Sequence, residues 1–574
     1  MRVKLRPGCH FAPTRQGLLC RFHDSSFVVR GPAALFGLLD SRIGALMDGT
    51  DTTELTASVG PAAPVLERIL ETLVERGYVF DLDAAGGPAP DPETAVRYED
   101  LLSHLEEHCA QPYAALATVR SSRVRVLGDG PAAVALRRTL ESYGATITAE
   151  RSADLTILID DEQEPLDLPA VAPRESAAIL PLLADAERIV LGPVLDGARR
   201  LPAFLAAADR VARWQRAEPT APAPHRVGAA LAGSSAARRA LDHLAGIGGD
   251  EDLIVVHGHD ASTTRVPFTA HGTSPTWLPL NPEHLDTGTR DDEAVTAAGT
   301  EGGSTAMTDS VTRSSVTAED RLAALTARWR GLGRWLGASG AVGRPVVAVG
   351  LEAVVAAPDG PEVGWGNDVD AARRSAVLAL LRTHIETVGG EDSGGAGDRM
   401  VAAAGGSVGR WVLDGVLRLL ARDALGRPPD RAVRWEELDS STSRSLWSAV
   451  DDYHGSPVDL REQRIPGFDW SLVSARDRRT GALVTAEWGP SVQTAAYAAL
   501  GTMFAHYEQR AEKARWSTVG THCVELLSES AVSAAIRQLT GDVGLSGRSV
   551  GGLRLIADPV IGGSSIPAGW VWLT

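Results

Sequence analysis

Two stretches of this sequence space their residues for chemistry. Gly128-x-Gly130-x-x-Ala133 follows an alternating apolar run, Arg123 to Leu127, and opens a helical pattern that reaches Tyr143. Two glycines between a strand and a helix allow a tight turn and let backbone amides approach a phosphate. Glu150 lies about 20 residues beyond Gly128, where a carboxylate meets the ribose in a dinucleotide site. Pro131 suits the first turn of a helix but removes one amide. Two readings therefore stay open: a nucleotide site, or a fold that keeps the turn without the ligand. In the second stretch, His104 and His108 stand one helical turn apart with Cys109 beside them. That spacing fits a metal pair, but no further ligand is signalled nearby, and a polar helix face is the expected reading. His522 and Cys523 are adjacent and fall on different sides of a helix. Trp411 and Trp470 read as core. No catalytic residue, metal ligand set or cofactor is expected.

The elements that must position these groups belong to a long chain. Its 574 residues suggest two to four domains, and 44% hydrophobic residues suffice for several cores. The net charge of −17 disfavours nucleic acid and anionic membrane as partners. No apolar run is long enough to span a bilayer, and Met1-Arg2-Val3-Lys4 lacks the apolar region of a signal peptide. The four cysteines, Cys9, Cys20, Cys109 and Cys523, contain no C-x-x-C pair. They give neither a four-cysteine zinc site nor a disulfide framework, so a reduced, cytoplasmic protein is expected.

Along the chain, Gly17 to Phe22 and Ser26 to Arg30 read as strands around a turn at His23-Asp24-Ser25. Helical patterns follow at Pro32 to Met47, Thr52 to Ser58 and Pro64 to Arg76, then Gly77-Tyr78-Val79-Phe80. A small sheet followed by three helices is winged-helix-like and leaves a sheet edge open beside a helix, where an extended peptide can add as a strand. Ala84 to Pro92 is a linker, and Glu93 to Ala110 a helix. Leu155 to Asp160 reads as a buried parallel strand, which makes the second region Rossmann-like. From Asp286 to Ser315 the chain is too poor in apolar residues to build a core, and Gly389 to Gly395 forms a second flexible patch. The last region holds a faint repeat. A hairpin leads to Gly364-Trp365-Gly366-Asn367 and a helix from Ala371 to Ile385, and again to Glu487-Trp488-Gly489-Pro490 and a helix from Thr494 to Arg510.

Three resemblances attach to these residues. Leu5-Arg6-Pro7-Gly8, Leu46-Met47-Asp48-Gly49-Thr50 and Leu70 to Val79 resemble the PqqD-like family of RiPP recognition elements, which bind the leader of ribosomally made precursor peptides. Val190-Leu191-Gly192-Pro193-Val194 resembles the Gly-Pro strand of ThiF-like cyclodehydratase partner proteins, without the cysteine pair that follows it there. Gly366 to Glu386 and Trp488 to Gln509 resemble the glycine-then-helix segments of YcaO enzymes, which use ATP to activate a backbone amide. Ser375 to Arg382 carries apolar residues where those enzymes place carboxylates.

Together the chain resembles a ThiF-like F protein of azole and thiopeptide biosynthesis. The implied fold is α/β multidomain. Residues 1–82 form a winged-helix-like recognition domain of three strands and three helices, and 93–285 a degenerate Rossmann-like ThiF-type domain. Residues 286–318 are a linker, and 319–574 a degenerate α+β YcaO-like scaffold. The implied function is to bind a precursor leader and present it to a partner YcaO cyclodehydratase for thiazoline or oxazoline formation. The alternative is an ATP-using cyclodehydratase in its own right. A flavin-dependent azoline dehydrogenase and a second copy of the chain are further partners this allows. The residues expected to hold the peptide are Ser26, Phe27, Val28, Val29 and Arg30 on the strand, with Leu66, Ile69, Leu70 and Leu73 on the third helix. Further rivals are a structural assembly protein with no affinity for a leader and a winged helix that reads DNA. Glu67, Glu71 and Glu75 form an acidic stripe on its would-be recognition helix, which a phosphate backbone repels.

Overall fold

The structure, a computed structural model, describes every residue except 24, 162–166, 169–177, 186–187, 219–225, 249–250, 258–259, 269–274, 281–322, 340–345, 356–359, 390–399, 454, 509–516, 541–548 and 559–565. The linker expected at 286–318 lies outside the described residues, as does most of the patch after Gly389. Two units are present: residues 1–204 with 220–268, and 205–219 with 269–574.

The first unit begins with strands β1 (Arg2–Leu5), β2 (His10–Thr14), β3 (Gly17–Phe22) and β4 (Ser25–Arg30). Helices α1 (Ala34–Asp40) and α2 (Ile43–Asp48), strand β5 (Thr50–Asp51), helices α3 (Thr52–Ala57) and α4 (Ala63–Glu75), and strand β6 (Val79–Asp81) follow. There are thus six strands and four α-helices here among the described residues, not three and three. One sheet runs β2-β3-β4 and a second β5-β1-β6. β2 leaves no alternating signature in the sequence because Pro13 interrupts it; as an outer strand it tolerates that proline. The helical pattern from Pro32 breaks at Ser41 and Arg42, where the Ser41 hydroxyl donates to the Leu38 carbonyl at 3.1 Å. Such local bonding competes with helix continuation.

Beyond lie α5 (Pro92–Arg97), α6 (Glu99–His108) and α7 (Pro112–Ser121). Then come β7 (Arg123–Leu127), α8 (Pro131–Ser142), β8 (Thr146–Thr148), β9 (Leu155–Asp161) and β10 (Ala178–Ala184). Strands β8, β7, β9 and β10 are parallel neighbours. Antiparallel strands Ile189–Leu191, Leu253–Val256 and Thr263–Val266 extend the sheet beyond β10. The sheet is therefore mixed, with a parallel Rossmann-like half. β9 is apolar on both faces, as a strand covered on both sides must be.

Among the described residues, the second unit holds three sheets. In one, Val347–Ala353 pairs with Glu362–Gly366, and the helix Val369–Gly389 follows. In another, Phe468–Asp477 pairs with Leu483–Gly489, and the helix Val492–Glu508 follows. Each copy ends its second strand on a glycine pressed against the next helix. A Cβ on Gly366 would lie 2.7 Å from the Ala372 amide, and one on Gly489 2.4 Å from the Ala495 amide. Trp411 and Trp470 are buried, as expected of core residues. No described helix is long and apolar enough to cross a membrane.

Candidate functional site

β4 is the outermost strand of its sheet, and its pairing shows which backbone groups are available. Gly31 donates to the Gln16 carbonyl, and β3 and β4 pair in unbroken register from Gly17↔Arg30 to Phe22↔Ser25. Hydrogen-bonded pairs alternate in an antiparallel ladder, so Leu18↔Val29 and Cys20↔Phe27 are the bonded pairs. The N–H and C=O groups of Ser26, Val28 and Arg30 therefore point away from β3. Their side chains are exposed, while Phe27 and Val29 turn toward the core and are half-buried. The opposite edge, β2, is blunted by Pro13, which has no amide to donate. Five of the expected peptide-binding residues thus share one edge that no strand covers among the described residues.

The helix residues sit elsewhere. Leu66, Ile69, Leu70 and Leu73 are 0–3% exposed in the core of this domain. They form the i, i+3, i+4, i+7 stripe of α4, and a short amphipathic helix buries such a stripe against its own domain. They hold α4 in place and offer no surface to a peptide. What α4 brings to β4 is its C-terminal end. The Arg76 guanidinium lies 4.6 Å from the Phe27 ring centre, and Tyr78 meets that ring edge-on at 5.1 Å. The Tyr78 hydroxyl donates to the Ser25 carbonyl at 3.0 Å, pinning the start of β4.

The glycine turn after β7 is filled by the protein itself. Gly128 and Gly130 have φ of +102° and +92°. A Cβ on Gly128 would lie 2.1 Å from the Ile159 carbonyl oxygen, and one on Gly130 2.4 Å from the Asp161 carboxyl carbon. Arg137 donates to the Gly128 carbonyl at 2.7 Å and to Asp129 at 2.8 Å. A buried carboxylate beside the turn opposes a phosphate there. Glu150 pairs with Arg123 at 2.9 Å. His104 is buried rather than on a polar face, with its Nε2 2.6 Å from Asp242.

A second polar site lies in the second unit. A cavity of about 80 Å³ is lined by Glu362, Glu487, Glu525, Arg374, Arg382, Arg418, His522 and the apolar face of the helix Val369–Gly389. This is well below the roughly 300 Å³ at which small-molecule pockets begin. The Thr383 hydroxyl donates to Glu362 and the Thr502 hydroxyl to Glu487, each at 2.7 Å. Gly406 donates its amide to Glu525 at 3.1 Å. Burial pushes the Glu487 carboxyl up to about 7 and lowers His522, which stacks on Trp365 at 4.0 Å, to about 4. Behind the cavity, burial alone would raise Asp414, but Arg382 and Arg418, bonded to it at 2.9–3.1 Å, hold it below the usual carboxylate range. The stretch Ser375 to Arg382 carries no carboxylate, and its sequence gives no sign of the three that line the cavity. Glu362 and Glu487 arrive from strands and Glu525 from a short 3₁₀ turn, all outside that helix stretch.

With this geometry in place, known proteins give a partial match. No family model matches the sequence, and no curated protein matches it. One solved structure, a heterocyclase in complex with substrate and cofactor, aligns with 100% of this chain and 94% of its own, at TM-score 0.59 and 12% identity. The chain is similar in fold to a heterocyclase. MccB of E. coli, solved with ATP and with N-formylated MccA, aligns with 47% of this chain and 97% of its own, at 10–11% identity and a TM-score of only 0.34.

Proposed function

We propose that this chain binds the leader of a ribosomally made precursor peptide on the β4 edge. It then presents the core peptide to a partner cyclodehydratase of the YcaO type, which forms thiazolines or oxazolines. The observation that carries this reading is the open edge, with Ser26, Val28 and Arg30 directing backbone donors and acceptors outward. Strand addition uses such groups for affinity and the flanking side chains for selectivity. The likeness in fold to a heterocyclase over the whole chain supports placing that edge in heterocycle formation. We assign residues 1–82 to leader recognition, 93–285 to the Rossmann-like domain and 319–574 to the scaffold. The partners are a precursor leader, the cyclodehydratase and a flavin-dependent azoline dehydrogenase.

The scaffold role rests on the second cavity, whose carboxylates accept bonds from the protein's own hydroxyls and amides and whose volume is small for a nucleotide. The same three carboxylates favour a second reading, an ATP-using cyclodehydratase, because carboxylates converging on one space can hold Mg²⁺ and phosphates. One experiment separates the two. Phosphate release is measured with precursor and ATP, with this chain alone and with a YcaO partner added. Release only with the partner is expected, together with leader binding by fluorescence polarisation. Turnover by this chain alone would overturn the presentation role in favour of the enzyme.

A further inference from the structure

Two histidines and a glutamate meet where the turn after β3 reaches the end of α6. His23 sits in the turn, and Glu107 and His108 are the last residues of α6. Their ligand-capable atoms all lie within 4.8 Å of one another. His23 Nδ1 is 3.6 Å from one Glu107 carboxylate oxygen, and His108 Nε2 is 3.9 Å from the other. The two imidazoles stack with centres 4.9 Å apart.

The surroundings favour this convergence. His23 has φ of +50°, the left-handed region that few residues other than glycine adopt. Gly8 has φ of +80°, and a Cβ there would lie 2.9 Å from Glu107 Oε1, so the missing side chain leaves space for the carboxylate. On the far side, His108 packs on His104 at 4.5 Å, and His104 is itself held by Asp242 and Arg238. His104 is thus a fixed wall and not a fourth donor. The side chains of His23, Glu107 and His108 are 41%, 28% and 33% exposed, open enough for an ion to enter and for water to complete its shell.

We propose that His23, Glu107 and His108 form a binding site for a divalent transition-metal ion that ties the β3–β4 turn to α6. Two imidazoles and one carboxylate suit Zn²⁺ and its neighbours, which bind such atoms at about 2.0–2.2 Å. Ca²⁺ and Mg²⁺ demand more oxygen ligands than this cluster supplies. Gathering the three atoms around one ion requires side-chain movement of about an ångström, within reach of exposed rotamers. The site stands apart from leader binding, although a bound ion would steady the turn from which β4 starts.

The test uses the full chain, stripped of metal and titrated with Zn²⁺ by calorimetry. One equivalent is expected to bind at a site lost in the His23→Ala, His108→Ala double variant. Glu107→Gln is expected to weaken binding about ten-fold or more. Circular dichroism confirms folding. Should the double variant misfold, His23→Ala alone, a change in an exposed turn, provides the comparison. Co²⁺ provides a second readout, since its visible absorption should change when His108 is replaced. No binding by the parent chain, or equal binding by the variants, would overturn the site.

Discussion

The β4 edge and the cavity of the second unit use polar groups in opposite ways. Along β4, the backbone groups of Ser26, Val28 and Arg30 face outward with no strand opposite them among the described residues. In the cavity, carboxylates and guanidinium groups face inward and are met by the protein's own donors and acceptors. Unpaired backbone at a surface is capacity for recognition. A satisfied buried network is a cost already compensated, and disturbing it destabilises the fold. The proposed function thus puts recognition where polar groups remain open, and the closed network supplies rigidity.

The closed region should give the largest effect when broken. Asp414→Ala leaves Arg382 and Arg418 without their buried partner and should cost about 3–5 kcal/mol, read from denaturant unfolding. A loss below about 1 kcal/mol would show that the network is not structural.

The cavity also predicts a pH signature. Burial raises Glu487 from 4.5 to about 7, so the folded chain keeps a proton that the unfolded chain releases. This contribution to stability falls as pH rises through that window. Burial lowers His522 from 6.5 to about 4, so the unfolded chain takes up a proton first, and stability rises with pH between 4 and 6.5. Each slope approaches about 1.4 kcal/mol per pH unit at its steepest, and the two oppose each other. Glu487→Gln removes its own falling contribution, so between pH 4.5 and 7 stability should rise with pH more steeply, or fall less, than in the parent chain. An unchanged profile in that variant would remove Glu487 from the account.

For the open edge, Val28→Pro deletes one outward amide and should weaken leader binding by about 1–3 kcal/mol while the fold survives. Fluorescence polarisation with a labelled leader checks it, and unchanged affinity would move the peptide away from β4. The smallest effect is expected from Glu71→Lys on the exposed face of α4. It should alter the salt dependence of leader binding by a few tenths of a kcal/mol and leave binding itself intact. Abolished binding would make charge, and not the strand edge, the main determinant.

Much of the first domain was legible because its elements are local. The runs Gly17 to Phe22 and Ser26 to Arg30 became β3 and β4, and Pro64 to Arg76 became α4 within a residue or two. β1 and β5 were not, since strands of four and two residues leave almost no periodic trace and exist through partners distant in sequence. The α4 stripe shows a subtler limit. Leu66, Ile69, Leu70 and Leu73 marked an apolar face correctly, but a pattern cannot say whether that face meets the core or a ligand.

By itself, the sequence determined the longer elements, the glycines at turns, the burial of Trp411 and Trp470 and the lack of carboxylates from Ser375 to Arg382. These follow from spacing within a few residues, where backbone geometry leaves little choice. Only the tertiary structure decided which sheet edge stays open, because strand order depends on pairings across the chain. It also decided that Glu362, Glu487 and Glu525 share one cavity and that His23 meets Glu107 and His108. The three glutamates, and His23 and Glu107, stand tens of positions or more apart, and only the close packing of folded elements brings them together.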